Sequence, residues 1–259
     1  MFARLLILLY AIVSYAVFFA SFLYALGFVG NYLVPKSIDL GGAANWREAI
    51  VVDLLLLGIF AIQHSLMARP AFKRWSASIF PVACQRSTYV LISSLILLLL
   101  FWQWRPIPTQ VWQIEGIAAW LLIGIYWLGW LIVLASTFMI DHFDLTGLRQ
   151  ALFALRGAEL PGQSFKTPLL YRVVRHPIML GFLLAFWATP VMTSGHLLFA
   201  IMTTAYILVG VQFEERDLIA EFGTTYQRYR RRVPMLLPRM FDRRRAEDRQ
   251  PPRSFGAPR

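Results

Sequence analysis

The segment Tyr171-Arg172-Val173-Val174-Arg175-His176-Pro177 opens an apolar stretch that runs to Gln212-Phe213-Glu214-Glu215-Arg216. Basic residues stand at one end of this stretch, paired carboxylates stand at the other, and Ser194-Gly195-His196 lies between them. A tight turn at that tripeptide folds the stretch into an antiparallel hairpin of two helices. Reflecting the chain about the turn sets Arg175 opposite Glu214, so the hairpin is predicted to bring the two charged clusters together.

Composition places this hairpin in a membrane. The chain has 259 residues, of which 58% are hydrophobic and 15% aromatic, and its mean hydropathy is +0.57. A soluble domain of this length does not need so much apolar surface. A membrane-spanning helix needs about 20 mostly apolar residues, and such runs occur at 5–29, 49–67, 88–104, 117–140, 178–193 and 197–213. We therefore predict an all-α, polytopic transmembrane helical bundle of about six spans, with five spans plus a re-entrant or short helix as the alternative.

Positive charges alternate between the connections. Lys and Arg are frequent in residues 69–86, in residues 149–175 and after Arg216, whereas residues 31–48 and 105–115 carry few. Cytoplasmic loops of membrane proteins carry an excess of Lys and Arg. The pattern therefore predicts an even number of spans, both termini in the cytosol, and the charged end of the hairpin on the cytosolic side.

The net charge of +11 is explained by a membrane surface. Residues 1–240 are predicted to form one membrane domain, and residues 241–259 a basic, Pro-rich, disordered cytosolic tail that is attracted to anionic lipid headgroups. No groove-reading motif and no stacking pattern accompanies the charge, so nucleic acid is not a predicted partner.

The charged end of the hairpin combines groups that suit one kind of ligand. Pro177 is predicted at the first position of a helix, whose free amides favour an anion such as a carboxylate. Basic side chains nearby donate charge-assisted hydrogen bonds, the paired carboxylates accept from hydroxyls or an ammonium group, and the Tyr171 and Phe213 rings suit a flat base or an onium charge. S-adenosylmethionine carries a carboxylate, an amine, a ribose diol, an aromatic base and a cationic centre. The predicted cofactor-binding residues are Tyr171, Arg172, Arg175, His176, Pro177, Gly181, Glu214 and Glu215.

Each cluster alone has a plainer interpretation. Arg175-His176-Pro177 can be an interfacial anchor, and Glu214-Glu215 can be a solvated helix end. Gly181 can serve close helix packing, which is the commonest role of glycine in a membrane helix. The two clusters face each other across the hairpin, and that joint placement favours the cofactor site.

The second predicted span carries two ionisable residues on one helix face, and one of them is in the same leaflet as the predicted cofactor site. His64 is about one turn inside the cytosolic end of the span, and Asp53 lies on the same helix face nearer the outer surface. Ionisable groups at membrane depth usually face a bundle interior or a cavity. For His64 a structural role and a substrate-site role both remain open, whereas Asp53 is expected to be structural.

The segment Asp141-His142-Phe143-Asp144 stands where the fourth predicted span meets the cytosolic loop. Adjacent residues on a helix point apart, so no metal site is predicted here. A helix end capped by Asp144 is one interpretation, and substrate positioning or proton removal is the other. His196, in the outer turn, and Cys84, the single cysteine, are expected to be structural.

Four segments carry a resemblance to a known superfamily: Arg175-His176-Pro177-Ile178-Met179-Leu180-Gly181, Glu214-Glu215-Arg216-Asp217-Leu218, 222–229 and 233–238. In this order they resemble the integral-membrane methyltransferases, which include isoprenylcysteine carboxyl methyltransferases and phospholipid N-methyltransferases. The resemblance implies that the hairpin binds S-adenosylmethionine from the cytosolic side, with His176 and the Glu214–Glu215 pair in the site. Met179 departs from the pattern, since many members carry Tyr there.

Three further segments, 61–70, 101–106 and 141–150, look like those of bacterial methanethiol S-methyltransferases. That resemblance implies an enzyme of the bacterial inner membrane that methylates a small hydrophobic thiol, methanethiol, to dimethyl sulfide. Since the thiolate is the nucleophile, a neutral histidine is a candidate base. The predicted catalytic residues are His142, with its neighbour Asp141, and His64; the sequence does not choose between the two histidines.

Two other functions are consistent with part of the sequence features described above. A lipid or isoprenylcysteine methyltransferase would keep the hairpin and need a wide lateral opening for a long chain. A transporter would need a polar path across the membrane, but the middles of the predicted spans are apolar and no inverted repeat is visible. The sequence therefore favours an enzyme, and it does not indicate an oligomeric state.

The charge pattern predicts which loops face the cytosol, and cysteine labelling tests this orientation. In a Cys84-free background, a cysteine placed at Gln163 should not react with an impermeant maleimide added to intact cells, because its loop is predicted to face the cytosol. A cysteine in the 31–48 connection is the matched control and should react. Labelling of position 163 from outside would contradict the predicted orientation.

Overall fold

A computed structural model describes residues 1–42, 45–162 and 165–238 of the chain. Within these ranges the chain is helical apart from one two-stranded antiparallel ribbon, which confirms the all-α prediction. The predicted tail, 241–259, and Gln163 lie outside the described residues.

The elements follow one another in a simple order. The helices are α1 (Phe2–Gly30), α2 (Trp46–Ala68), α3 (Pro70–Ser76), α4 (Val82–Gln103), α5 (Gly116–Ile140), α6 (His142–Thr146), α7 (Leu148–Arg156), α8 (Pro177–Trp187), α9 (Ser194–Phe222) and α10 (Thr224–Arg232). The ribbon consists of β1 (Gln110–Gln113) and β2 (Val191–Thr193), and a 3-10 turn occupies Leu169–Arg172.

Five described helices are long and apolar enough to cross a membrane: α1, α2, α4, α5 and α9. The chain is thus a multi-pass membrane protein. The prediction of a helical span over 178–193 was wrong, because α8 has only 11 residues and ends at Trp187. Pro190 follows closely, and a proline disfavours helical backbone in the residue before it and cannot donate its own amide. The alternative of five spans plus a short helix is the correct one.

The segment that contains α8 nevertheless reaches the opposite end of the bundle. After Trp187 the chain turns at Ala188 and enters β2, where Thr193 pairs with Gln110 in the loop between α4 and α5. A helix of 11 residues and three extended residues cover about 26 Å at about 1.5 and 3.3 Å per residue, close to the ~30 Å of a bilayer's hydrocarbon core. We call the end that carries Pro177 the site end and the end that carries β1 and β2 the ribbon end.

A buried polar cluster closes the ribbon end. His196 is fully buried and its Nε2 donates to the Phe186 carbonyl at 2.9 Å. The Thr193 hydroxyl donates to Asp39, which also accepts from Asn31. These contacts tie the loop after α1 to the start of α9. They give His196 the structural role expected from the sequence.

Asp53 also has a structural position at this end. Its side chain is fully buried, and Oδ1 accepts from the Arg105 amide at 2.9 Å. That amide lies just beyond α4, so the carboxylate of α2 satisfies a backbone donor at the end of a neighbouring helix. The structural expectation for Asp53 is confirmed.

Two glycines fix α8 against α5. A Cβ added to Gly181 would lie 2.6 Å from the Gly129 carbonyl oxygen, and one added to Gly129 would lie 2.6 Å from the Gly181 oxygen. The backbones therefore touch, as small residues allow in membrane bundles. Gly181 thus serves the helix packing that was the plainer interpretation of its sequence position; a contact with the cofactor stays a prediction. Because α8 follows directly on His176, this crossing also sets the position of the charged cluster.

The crossing predicts a specific loss of stability. Gly181→Ala should lower the free energy of unfolding by about 1–3 kcal/mol, because overpacking forces backbones apart. Gly124→Ala on α5 is the matched control, since its Cβ would meet no atom within 4 Å. Thermal unfolding of both variants in detergent provides the comparison. Equal midpoints would show that α5 and α8 do not meet at these glycines.

Candidate active site

Four parts of the chain converge at the site end: the start of α8, the last turns of α9, α10 and the segment 233–236. The amides of Arg175 and His176 donate to the carbonyls of Pro234 and Met235 at 2.9 and 3.2 Å. This short backbone pairing holds the C-terminal segment beside the entrance to α8. The motifs found separately in the sequence are therefore neighbours in space.

Glu215 is the centre of the cluster. Its side chain is 3% exposed, and its Oε1 accepts from Arg175 Nε at 2.7 Å and lies 3.2 Å from His176 Nε2. Its other oxygen, Oε2, lies 3.0 Å from Arg230 Nε. A buried charge costs much free energy unless it is paired and hydrogen-bonded, and here both oxygens have basic partners.

Arg175 extends this network to the backbone. Its Nη1 donates to the carbonyls of Arg230 and Val233 at 2.9 and 2.6 Å. The guanidinium thus joins α8, α9, α10 and the C-terminal segment. The predicted pairing of Arg175 with Glu214 was wrong by one residue, because β2 and the residues before it replace the tight turn on which the reflection rested.

Glu214 is the accessible carboxylate of the pair. Its side chain is 48% exposed, and its only close basic neighbour among the described residues is His176 Nδ1 at 3.5 Å. One face of His176 therefore meets the buried Glu215 and the other meets Glu214. This arrangement leaves the Glu214 oxygens able to accept from a ligand.

Two buried phenols beside these carboxylates lack partners. The hydroxyls of Tyr171 and Tyr226 are buried and make no hydrogen bond within the described part of the chain. Burial, and then the negative charges of Glu214 and Glu215, raise the pKa of Tyr226; burial and then Glu214 raise that of Tyr171. Both phenols therefore stay protonated and act as donors. A buried donor without an acceptor costs free energy, so a ligand oxygen or nitrogen is the natural partner here.

Tyr229 of α10 is hydrogen-bonded to the backbone of Tyr171. Its hydroxyl donates to the Tyr171 carbonyl at 2.6 Å. Burial raises the pKa of Tyr229 to about 12, so the phenol remains a donor at neutral pH. Sequence reasoning did not assign Tyr226, Tyr229 or Arg230 to the site. A sequence signal for the two tyrosines was present, because both lie in the 222–229 segment that carries the superfamily resemblance.

The start of α8 adds backbone donors. Pro177 is the first helical residue, as predicted, and the first main-chain bond of the helix runs from the Leu180 amide to the His176 carbonyl. The first-turn amides of Ile178 and Met179 therefore have no intrahelical acceptor. Such amides attract an anionic group.

The predicted cofactor residue Arg172 is exposed. Its Nε donates to the Thr167 carbonyl at 3.1 Å and not to Glu215.

His64 lies in a second polar group between α2, α4 and α9. The Ser93 hydroxyl donates to Gln63 at 3.2 Å, so it accepts from His64 Nδ1 at 3.3 Å. The Tyr89 hydroxyl then donates to His64 Nε2 at 2.8 Å. The imidazole also lies 6.4 Å from the Tyr206 ring of α9, between centroids. His64 is thus next to the helix that carries Glu214.

His142 occupies a different place. Its ring stacks on Phe138 with centroids 4.3 Å apart. Nδ1 lies 3.0 Å from the Thr137 hydroxyl, which itself donates to the Leu134 carbonyl, and Nε2 lies 3.1 Å from the Tyr15 hydroxyl. Burial lowers the pKa of His142, opposed by the charge of Asp141. The neutral ring therefore joins α1 to α5 and α6, and its described partners include no residue of α8 or α9.

Asp141 ends α5 and begins α6. Its Oδ1 accepts from the Asp144 amide at 3.0 Å, and its Oδ2 lies 2.6 Å from Arg149 Nη1. The predicted cap by Asp144 was therefore wrong: Asp141 caps the turn, because its backbone leaves the helical region at that residue. Asp141 has a structural task here, and its catalytic role stays a prediction.

Comparisons with known proteins agree with this arrangement. The family model described as NnrU protein matches residues 54–232. Methanethiol S-methyltransferase 2 of Bradyrhizobium diazoefficiens is 77% identical over the full length of both chains. Methanethiol S-methyltransferase of Mycobacterium tuberculosis is 55% identical over 91% of this chain and 97% of the relative. Nurim of Mus musculus is 32% identical over 64% of this chain and 66% of the relative.

No solved structure matches the chain. The match to the NnrU model takes in α4, α5 and all the elements that form the cluster around Glu215, apart from residues 233–236. The two methyltransferase relatives match far beyond that region, over most or all of the chain. The chain therefore belongs to the NnrU protein family and, within it, to the methanethiol S-methyltransferases.

Proposed function

We propose that this protein transfers the methyl group of S-adenosylmethionine to methanethiol, which yields dimethyl sulfide and S-adenosylhomocysteine. The names of its relatives support the reaction, since several are called methanethiol S-methyltransferase and one of these matches over the full length of both chains. One structural observation supports the choice of donor: the hydroxyls of Tyr171 and Tyr226 are buried without a partner in the described part of the chain, and the charge of the accessible Glu214 acts on both. A site with such donors and an acceptor suits a ligand that is both cationic and rich in polar groups.

In this proposal each residue of the site end binds a different group of S-adenosylmethionine. Glu214 accepts from the amine or the ribose hydroxyls, and the amides of Ile178 and Met179 receive the carboxylate. Tyr171 and Tyr226 donate to the remaining oxygen and nitrogen atoms. S-adenosylmethionine supplies an electrophilic methyl group on a sulfonium sulfur. The buried Glu215 and Arg175 act indirectly, because they hold the four chain segments in place.

His64 is the proposed base for the thiol. Its ring contacts Tyr206 of α9, whereas the described partners of His142 lie on α1, α5 and α6. The proton of methanethiol passes to the Tyr89 hydroxyl as that hydroxyl gives its own proton to His64 Nε2, and His64 then releases the proton to water. The thiolate sulfur forms a bond to the methyl carbon as the bond from that carbon to the donor sulfur breaks, and the electron pair stays on the donor sulfur. Near-attack alignment in a site without bulk water supplies much of the rate.

The orientation follows from the same proposal. The site end faces the cytosol, where the methyl donor is made, so both termini are cytosolic and the protein lies in the bacterial inner membrane. The basic tail, 241–259, is outside the described residues, and we propose that its charge attracts anionic lipid headgroups on the same side. Methanethiol is small and apolar and reaches the site through the bilayer.

Cofactor affinity tests the proposed donor site. Glu214→Gln and the double variant Tyr171→Phe, Tyr226→Phe should each weaken binding of S-adenosylmethionine at least tenfold, because each removes a charge-assisted or buried hydrogen bond. Glu48→Gln is the matched control, since Glu48 pairs with Arg105 at the ribbon end. Calorimetric titration of the purified proteins gives the dissociation constants. Wild-type affinity in both variants would exclude this donor site.

The pH dependence of turnover tests the base. His64→Gln should lower kcat with methanethiol about 100-fold at neutral pH, the usual scale of general-base catalysis, with little change in donor affinity. Activity should recover partly as the pH rises, because a larger fraction of the substrate is then thiolate. His142→Gln should keep most of the activity at every pH. Full activity of His64→Gln at neutral pH would exclude His64 as the base.

A further inference from the structure

Gly210 opens a space on the face of α9 that leads to the site. It lies four residues after Tyr206 and four before Glu214, so at about 3.6 residues per turn the three residues share one face of the helix. A Cβ placed on Gly210 would have no neighbouring atom within 4 Å. The face that carries the accessible carboxylate thus has an opening one turn away from it.

Contacts with α2 bracket this opening. On the ribbon side the Tyr206 hydroxyl lies 3.2 Å from the Ser65 hydroxyl. On the cytosolic side the Arg69 guanidinium lies 5.1 Å from the centre of the Phe213 ring and pairs with Asp217 at 3.2 Å. The two helices are therefore joined above and below Gly210, and the space between these contacts belongs to their interface.

The opening lies at the edge of the buried face of α9. Val211 is fully buried and Ile207 is 6% exposed, whereas Val209 on the other flank is 55% exposed and faces outward. Gly210 lies between the buried flank and the row of residues that contacts α2. Gly210 itself is half-buried, so its open position lies at the border between the core and the side of α9 that contacts α2.

We propose that the space at Gly210 binds the alkyl thiol and that Gly210 sets the size of the thiol accepted. The proposal rests on the function proposed above. The space lies between the two groups which that reaction must bring together: Glu214 of the donor site on one side, and Tyr206 with the adjacent His64 on the other. Methanethiol has a single methyl group on sulfur, and its methyl and sulfur need a small apolar space and little else.

The test uses two substitutions of one residue and a series of alkanethiols. Gly210→Leu fills the space and should raise KM for methanethiol at least tenfold with unchanged affinity for S-adenosylmethionine. Gly210→Ala, in which alanine suits a helix better than glycine, should lower the ratio of kcat/KM for 1-propanethiol to kcat/KM for methanethiol at least tenfold. Gly124→Leu is the control, because Gly124 also has open space around it but is exposed on α5.

The outcomes separate this proposal from the one on which it rests. If the wild-type protein does not methylate methanethiol, the proposed function itself is wrong. If the wild type is active and Gly210→Leu keeps the wild-type KM for methanethiol, the space does not bind the thiol. Should Gly210→Leu unfold at a lower temperature than Gly124→Leu, the ratio of kcat/KM for methanethiol and 1-propanethiol in Gly210→Ala decides. An unchanged ratio overturns the proposal, and a ratio shifted tenfold toward methanethiol supports it.

Discussion

The buried carboxylate of Glu215 is the interaction on which the site end depends. Arg175, His176 and Arg230 all approach it, and they come from the entrance to α8 and from α10. A carboxylate that is 3% exposed is tolerated only while these partners stay in place. The position of Glu214 one residue earlier on α9, and of Tyr171 and Tyr226 beside it, follows from that fixed centre. The proposed ligand-binding groups are thus held in place by a buried charge that is itself paired with basic side chains.

Much of this arrangement could be predicted from the sequence because it depends on long patterns. Apolar length identified the five long spans, and the opposition of basic and acidic clusters identified the hairpin end. The register was one residue off because the reflection assumed a tight turn at residues 194–196, whereas α8 ends at Trp187 and the chain then pairs with β1. That pairing joins distant segments, and no local pattern in the sequence shows it. The stabilising role of Arg175 and Glu215 was also invisible, since burial divides two adjacent glutamates into one structural and one accessible carboxylate.

The two histidines show the limit of sequence reasoning more clearly. Both lie near the predicted cytosolic end of an apolar helix, His64 inside α2 and His142 just after α5, and nothing local distinguishes them. The distinction is tertiary: the ring of His142 is held between α1 and α5, and the ring of His64 is held between α4 and α9. Packing, rather than residue type, therefore decides which imidazole is near the proposed reaction.

The short helix α8 has a consequence for how the protein is made. Its 11 apolar residues are too few for stable independent insertion into a bilayer, and the extended residues after it have backbone groups that lipid cannot satisfy. Those groups find their partners on β1, which is synthesised earlier and lies between two completed spans. Integration of α8 therefore waits for α4, β1 and α5 to be in place and is completed together with α9. The cluster around Glu215 forms only when α8 and α9 are both in place. A chain that stops before this step therefore has its earlier spans in the membrane but lacks the proposed ligand-binding site.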